Sequence, residues 1–90
     1  MTKEERNKVR ESVEAVLPEG WKVSRIKGGS LIVDCPVNAR FGGDDKAYMG
    51  IIRKIEKAAG VKYDGGGATV GCDIYNNYFY RKEEKNDQGS

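Results

Sequence analysis

The sequence predicts an α+β fold: a two-layer sandwich of order α-β-β-α-β(-β), with a mostly antiparallel sheet covered on one face by two helices. Two segments, residues 2–17 and 44–60, repeat apolar side chains at the 3.6-residue spacing of an amphipathic helix. Short segments that alternate apolar and polar residues lie between them, and the chain after residue 60 is rich in aromatic residues. Because the strands are grouped rather than alternating singly with helices, helices on one side of an antiparallel sheet are favoured.

The first helix is predicted over residues 2–17. Thr2 and Glu5 match the S/T-x-x-E capping box, in which each side chain accepts a hydrogen bond from the backbone N–H of the other residue. Pro18 is expected to end the helix, since proline cannot continue one. The apolar stripe of this helix consists of Val9, Val13, Val16 and Leu17.

Residues 21–26 and 31–35 are predicted to form the two strands of a hairpin. The residues between them, 27–30, read Lys-Gly-Gly-Ser, and glycine accepts the positive φ angles that tight hairpin turns require. Pro36 has no N–H for the ladder and should end the regular pairing or place it at an edge of the sheet. Because side chains alternate along a strand, Trp21 and Val23 share one face of the first strand. On the second strand, one face carries Leu31, Val33 and Cys35, and the other carries Ile32 and Asp34.

The central helix is predicted over residues 44–60. Asp44 or Asp45 can cap its N-terminus, and Gly60 suits the left-handed conformation that often ends a helix. Gly50, inside the helix, is expected to allow close packing against the sheet. The apolar face consists of Ala47, Tyr48, Ile51, Ile52, Ile55, Ala58 and Ala59.

The segments around the central helix are divided by their glycines. We predict an irregular, mobile loop at 37–43, a short strand at 61–63 and a loop at 64–67. Residues 68–80 are then predicted to form one long strand bent by a bulge at Gly71, and the alternative is a hairpin that turns at Asn76 and Asn77. The helices are expected to pack on Trp21, Val23, Leu31 or Ile32, Val33 and Ile74.

The composition predicts one small soluble domain. We expect residues 1–82 to form it and the polar residues 83–90 to be a disordered tail. Sixteen basic and 14 acidic residues give a net charge of +2, which exerts no strong general attraction on nucleic acid or anionic membranes. The N-terminus is charged, and no apolar run approaches the roughly 18 residues that span a bilayer. We therefore expect a cytoplasmic protein without membrane association.

The sequence lacks the residues on which most catalytic sites depend. It contains no histidine, which removes the usual general base and the commonest metal ligand. Cys35 and Cys72 form no CxxC pair, so we expect two half-buried thiols, bridged only if their strands are adjacent. The glycine-rich residues 64–71 lead into a strand and lack phosphate-binding spacing. We predict no enzyme activity, no cofactor and no metal site.

The aromatic residues of the last predicted strand are the strongest candidates for binding. Alternation places Tyr75, Asn77 and Phe79 on one face of this strand and Asn76, Tyr78 and Tyr80 on the other. One face should be core and the other exposed, and the pattern does not decide which. Tyrosine and arginine are enriched at binding hot spots. The candidate binding residues are Tyr75, Asn77, Tyr78, Tyr80, Arg81, Lys82, Lys22, Arg25 and Lys27.

Three short motifs lie in the predicted strands. They read Pro-Glu-Gly-Trp-Lys-Val-Ser at 18–24, Gly-Gly-Ser-Leu-Ile-Val-Asp at 28–34 with Pro36, and Asp-Ile-Tyr at 73–75 with Tyr80 and Arg81. In these motifs the sequence resembles the large polyvalent protein-associated domains of phages and conjugative elements, over roughly residues 4–82. The resemblance implies an α+β fold and a mobile-element origin, and it implies no catalytic residues.

These observations predict a small, non-enzymatic phage or mobile-element protein that binds another protein, such as a component of a host defence system that it inhibits. The alternative is an RNA- or DNA-binding module that uses the aromatic and basic last strand. A nucleotide or small-ligand pocket near residues 65–71 is a third hypothesis. A homodimer is also envisaged, paired through the exposed edge of the last strand.

Overall fold

The computed structural model describes residues 2–27, 29–68, 71 and 73–81. The predicted α+β class and element order are confirmed, with two final strands. The described helices are Lys3–Glu14 (α1), Val37–Phe41 (α2) and Asp45–Ala59 (α3), and the strands are Lys22–Lys27 (β1), Ser30–Pro36 (β2), Val61–Ala68 (β3) and Ile74–Arg81 (β4). None of these helices is both long and apolar enough to cross a bilayer.

The four strands form one antiparallel sheet in the order β1-β2-β4-β3. Two hairpins, β1-β2 and β3-β4, lie side by side because β2 pairs with β4. The last strand is therefore an inner strand, and β1 and β3 are the edges. The expected homodimer through a free edge of the last strand is wrong, since both edges of β4 are already hydrogen-bonded.

Helix α1 begins as its sequence predicts and ends earlier. The Thr2 hydroxyl accepts from the Glu5 N–H at 3.1 Å, and the Glu5 carboxylate accepts from the Thr2 N–H at 2.8 Å. Regular helix stops at Glu14, ahead of Pro18, and the chain then turns through a bond from the Val16 N–H to the Val13 carbonyl. Val13 is fully buried, and Val9, Val16 and Leu17 pack beside it.

Helix α3 has the predicted ends. The Asp44 side chain accepts from the Lys46 N–H at 3.0 Å, and Gly60 has the left-handed φ of 67°. The expected close packing of Gly50 is wrong, because a Cβ built there would meet no atom within 4 Å. Ala47, assigned to the apolar face, is exposed. The fully covered residues of α3 are Tyr48, Ile52 and Ile55.

The segment predicted as a mobile loop before α3 is partly helical. Pro36 provides an extended N-cap conformation for α2, and the Val37 N–H donates to the Asp73 carbonyl at 2.9 Å. The Gly42 N–H closes the helix on the Asn38 carbonyl at 2.8 Å. The Val37 hydrogen bond joins α2 to Asp73, the residue before β4 and distant in sequence, so local sequence did not reveal it.

The glycine-rich segment after α3 is strand rather than loop. Strand β3 continues through it with a bulge between Tyr63 and Gly66, and Gly65 takes a φ of 94° at the bulge. A Cβ on Gly66 would contact the Asn76 carbonyl oxygen and lie 2.7 Å from the ring of Tyr75. The glycine therefore permits a close approach of β3 to β4.

Both predictions for residues 68–80 are wrong. Strand β3 ends at Ala68 and β4 begins at Ile74, so the chain turns between them. Asn76 and Asn77 lie inside β4, opposite β2 on one side and β3 on the other. Gly71, expected to be a strand bulge, has a φ of 85° in this connection.

The core lies between the helices and one face of the sheet. The predicted packing residues Trp21, Val23 and Val33 are buried, and of the alternatives Leu31 is the buried one. Ile74 is 39% exposed, so its assignment to the core is wrong: it lies on the other face of β4. The buried apolar residues are Val13, Trp21, Val23, Leu31, Val33, Cys35, Tyr48, Ile52, Ile55, Tyr75 and Phe79.

Some sequence predictions fall outside the described residues. Gly28 of the first hairpin, Cys72 and the tail 83–90 are among them. Cys35 is described and buried. The pairing of Lys27 with Ser30 agrees with the predicted tight connection between β1 and β2.

Candidate binding surface on the sheet

The sheet has one face that the described helices do not cover. Helix α1 packs against β1 and α3, and α3 packs against β3. The buried side chains of β2 and β4 point toward these helices, and because side chains alternate along a strand, their neighbours point the opposite way. We refer to this second side of the sheet as the open face.

Cross-strand pairing arranges most of the open face in three rows, and Ile74, paired with Pro36, lies beside the first of them. Directly paired residues share a face, so each row can be followed from strand to strand. A bulge in β1 between Val23 and Arg25 and the bulge in β3 shift the edge strands by a residue. From β1 toward β3, the rows are Lys22-Asp34-Asn76-Gly67, Arg25-Ile32-Tyr78 and Lys27-Ser30-Tyr80-Lys62.

Strand β4 contributes to the open face a stripe of three exposed side chains, two tyrosines and one isoleucine. Tyr78 is 41% exposed, Tyr80 42% and Ile74 39%. We call these three residues the tyrosine stripe. They stand on an inner strand whose backbone is held on both sides, so their positions relative to one another are well defined.

Basic residues border the tyrosine stripe on both edge strands. Lys22, Arg25 and Lys27 of β1 are exposed, as is Lys62 of β3. Asp34, the carboxylate within the rows, is nearly buried and accepts a 2.6 Å hydrogen bond from the Asn76 side chain. The rows therefore present more positive than negative charge to a partner.

The structure brings together five of the predicted binding residues. They share the open face: Lys22, Arg25, Lys27, Tyr78 and Tyr80. Arg81 ends β4, where it is exposed and pairs with Val61. Lys82 lies outside the described residues.

Tyr75 and Asn77 were also candidates, and they face the core. Tyr75 is 7% exposed and Asn77 is fully buried. The Asn77 amide donates to the Val33 carbonyl at 2.9 Å and to the Cys35 sulfur at 3.3 Å, and its oxygen accepts from the Tyr48 hydroxyl. These hydrogen bonds explain why the Asn77 side chain can be buried. The side chain is therefore not accessible to a binding partner.

The network around Asn77 consists of neutral groups. The hydroxyls of Tyr48 and Tyr63 are 2.9 Å apart. Burial raises the pKa of the Tyr48 hydroxyl, and the hydrogen bond with Tyr63 raises it further. Burial likewise raises the pKa of the Cys35 thiol. Both groups are therefore neutral at neutral pH, and the network consists of hydrogen bonds between uncharged groups in the core.

Sequence reasoning missed Arg40, which lies on three aromatic rings. Its guanidinium carbon is 4.8 Å from the ring centre of Tyr48, 5.1 Å from that of Phe41 and 5.8 Å from that of Tyr75. Its Nε is buried with no partner among the described residues, and Asp45 lies 3.8 Å from NH1. Hydrogen bonding with Tyr75 raises the pKa of Arg40. This cluster closes the Tyr75 end of the core, with Phe41 64% exposed above it.

Sequence reasoning also missed an open groove where α3 meets β3. The groove has a volume of about 590 Å³. The Glu56 carboxylate in it accepts a 2.7 Å hydrogen bond from the Tyr63 N–H. The lining residues are Arg53, Glu56, Lys57, Gly60, Val61 and Lys62. Lys62 belongs both to this groove and to the open face, which makes the two surfaces continuous.

The described residues contain no group of three or more Cys, Asp or Glu side chains that could hold a metal ion. Comparisons with protein-family models, curated proteins and solved structures found no match to this chain.

Proposed function

We propose that this is a non-enzymatic cytoplasmic protein that binds another protein through the open face of its sheet. The observation that carries the proposal is the tyrosine stripe, three partly exposed apolar side chains fixed on an inner strand. Tyrosine offers a large contact area at a low cost in side-chain entropy, and it is enriched among residues that dominate binding energies. A stripe of this kind is suited to form the centre of an interface.

The charges around the stripe indicate the partner's chemistry. Lys22, Arg25, Lys27 and Lys62 would lie at the rim of the interface, where charge affects association rate and specificity more than affinity. A partner surface with an apolar centre and acidic residues around it would complement this face.

The biological setting of the proposal comes from the sequence. The resemblance to domains of phages and conjugative elements supports a mobile-element protein, and the small size and lack of histidine support binding rather than catalysis. Inhibition of a host defence system is the role we propose for that binding. It identifies components of bacterial defence complexes as the first partners to test.

A photo-crosslinking residue in place of Tyr78 tests the proposal in bacterial cells. The same residue at the exposed Glu11 of α1 is the matched control. We expect one crosslinked protein from position 78 that is absent from position 11 and is lost when Tyr80→Ala is added. The purified partner should bind the wild type in calorimetry and bind Tyr78→Ala at least tenfold more weakly. Equal crosslinking from both positions, or none from position 78, would refute a protein-binding open face.

A further inference from the structure

We propose a second activity: one end of the sheet and the groove beside it bind single-stranded nucleic acid. The site consists of Lys27, Tyr80, Lys62, Lys57 and Arg53, which we call the basic end. Only Lys27, Tyr80 and Lys62 of these lie on the open face. The basic end shares Lys27, Tyr80 and Lys62 with the proposed protein interface, whereas Arg53 and Lys57 of α3 belong to the basic end alone.

The first part of the basic end is the row that crosses the sheet. Cross-strand pairing runs over all four strands through Lys27, Ser30, Tyr80 and Lys62, in that order. The exposed ring of Tyr80 therefore lies between two exposed lysines. Three strand spacings separate the outer residues, or about 14 Å at roughly 4.8 Å each. An aromatic ring flanked by cations at this spacing suits a single-stranded nucleic acid, in which flat bases alternate with phosphates.

The second part is the groove, which extends the row beyond the sheet edge. Lys62 belongs to both, and Arg53 and Lys57 line the groove. Arg53, Lys57 and Lys62 line the groove together with one carboxylate, Glu56, which accepts a hydrogen bond from the Tyr63 N–H at 2.7 Å. Positive charge therefore predominates from Lys27 to Arg53. The net charge of the whole chain, +2, does not reveal this concentration of basic residues at one end of the sheet.

The aromatic component selects single strands over duplexes. Bases in a duplex stack on one another, and unpaired bases can stack on a tyrosine instead. Tyr80 and its neighbour Tyr78 are each about two-fifths exposed, so their rings are accessible. Phosphates on the basic side chains would release counterions, which makes the affinity strongly dependent on salt.

Fluorescence anisotropy with a labelled 15-nucleotide thymidine oligomer tests the inference. We expect saturable binding in 50 mM NaCl and a plot of log K against log salt with a slope near −3, about −0.7 for each of four basic contacts. Arg53→Gln with Lys57→Gln should reduce the magnitude of that slope to about 1.4. Tyr80→Ala should weaken binding about tenfold or more, by loss of base stacking.

Lys46→Gln is the matched control, because Lys46 is exposed in the first turn of the same helix, far from the groove. It should leave affinity and slope unchanged. Absence of saturable binding at 50 mM NaCl would overturn the inference. So would equal effects of the Lys46 and Lys57 substitutions, or equal affinity for a duplex of the same sequence.

The two proposals fail separately. The Arg53 and Lys57 substitutions should leave crosslinking from position 78 intact, and Ile74→Ser should weaken the protein complex without changing the salt slope of oligonucleotide binding. If Ile74→Ser and the groove substitutions each abolished oligonucleotide binding, the ligand would depend on the whole face, and the basic end as defined here would be refuted.

Discussion

Asn77 lies on the side of β4 that faces the core, together with Tyr75 and Phe79. Alternation separates Tyr75, Asn77 and Phe79 from Tyr78 and Tyr80, and a bulky tyrosine is usually a better core residue than an amide. The amide is accommodated because its donors and acceptor are used by Val33, Cys35 and Tyr48. The consequence is that Tyr78 and Tyr80 remain at the surface, where a partner can reach them.

We predict that Asn77→Ala lowers the free energy of unfolding by about 2–3 kcal/mol, because it removes three hydrogen bonds and opens a small cavity in the core. Urea denaturation followed by circular dichroism measures the change. Asn7→Ala, at an exposed position in α1, is the control and should change stability by less than about 0.5 kcal/mol. A loss for Asn77→Ala no larger than that of the control would contradict the structural role of the amide.

Helix α3 shows which features of an element depend on local sequence. Its ends depend on Asp44 and Gly60, which act through hydrogen bonds and backbone angles within a few residues of themselves. Its interior glycine was expected to serve packing, and the structure shows open space beside Gly50 instead. Without such a contact, Gly50 only destabilises the helix, because glycine loses more backbone conformational entropy on folding than other residues do.

Gly50→Ala is therefore expected to stabilise the protein by about 1 kcal/mol, the usual difference between glycine and alanine within a helix. Gly60→Ala in the same helix should destabilise it by a similar amount, because its φ of 67° is unfavourable for a residue with a Cβ. Midpoints of urea unfolding for both variants provide the measurement. Destabilisation by Gly50→Ala would indicate that space around this residue is needed.

Strands β3 and β4 show the opposite case, in which local sequence misled. Three successive glycines favour a loop, yet they lie in β3. Gly66 and Gly67 pair with β4, and Tyr75 occupies the space above Gly66. The Asn-Asn pair favours a turn, yet both residues lie within paired strand. Cross-strand hydrogen bonds and packing outweigh the weak local preferences of glycine and asparagine.

The helices and the sheet share one core, so the molecule should unfold as one unit. Trp21 lies next to Tyr48 of α3, with ring centres 6.0 Å apart, and precedes β1. Its fluorescence therefore reports on contact between sheet and helices.

Unfolding in urea should give the same midpoint by Trp21 fluorescence and by far-ultraviolet circular dichroism, as two-state behaviour requires. The slope of free energy against urea should be about 1 kcal/mol per molar, as for other small domains. Two separated midpoints would show that the hairpins or helices unfold independently. The Gly50→Ala variant should move both midpoints together, which checks that the two signals follow one transition.

In the whole molecule, the fold groups exposed basic and aromatic residues in a way that the composition does not predict. Sixteen basic and 14 acidic residues nearly balance, yet pairing brings Lys27 and Lys62 into one row with Tyr80. The groove adds Arg53 and Lys57 at the same end. Both proposed binding activities depend on this arrangement in space.

The sequence by itself determined the α+β class, the element order, the N-cap of α1, the ends of α3, and the division of β2 side chains between two faces. These features follow from periodicity and from bonds between residues close in the chain. It also predicted five binding residues that the structure places on one face of the sheet: Tyr78, Tyr80, Lys22, Arg25 and Lys27.

Only the tertiary structure decided the strand order, the inner position of β4, the path of β3 through its glycines and which side of β4 is exposed. Each depends on partners distant in sequence: β2 for β4, Tyr75 for Gly66, and Tyr48 for Asn77. A local pattern states what a residue prefers, and long-range pairing determines whether that preference is satisfied. The binding surface follows from this pairing, because burial of Asn77 on one side of β4 leaves the tyrosine stripe exposed on the other.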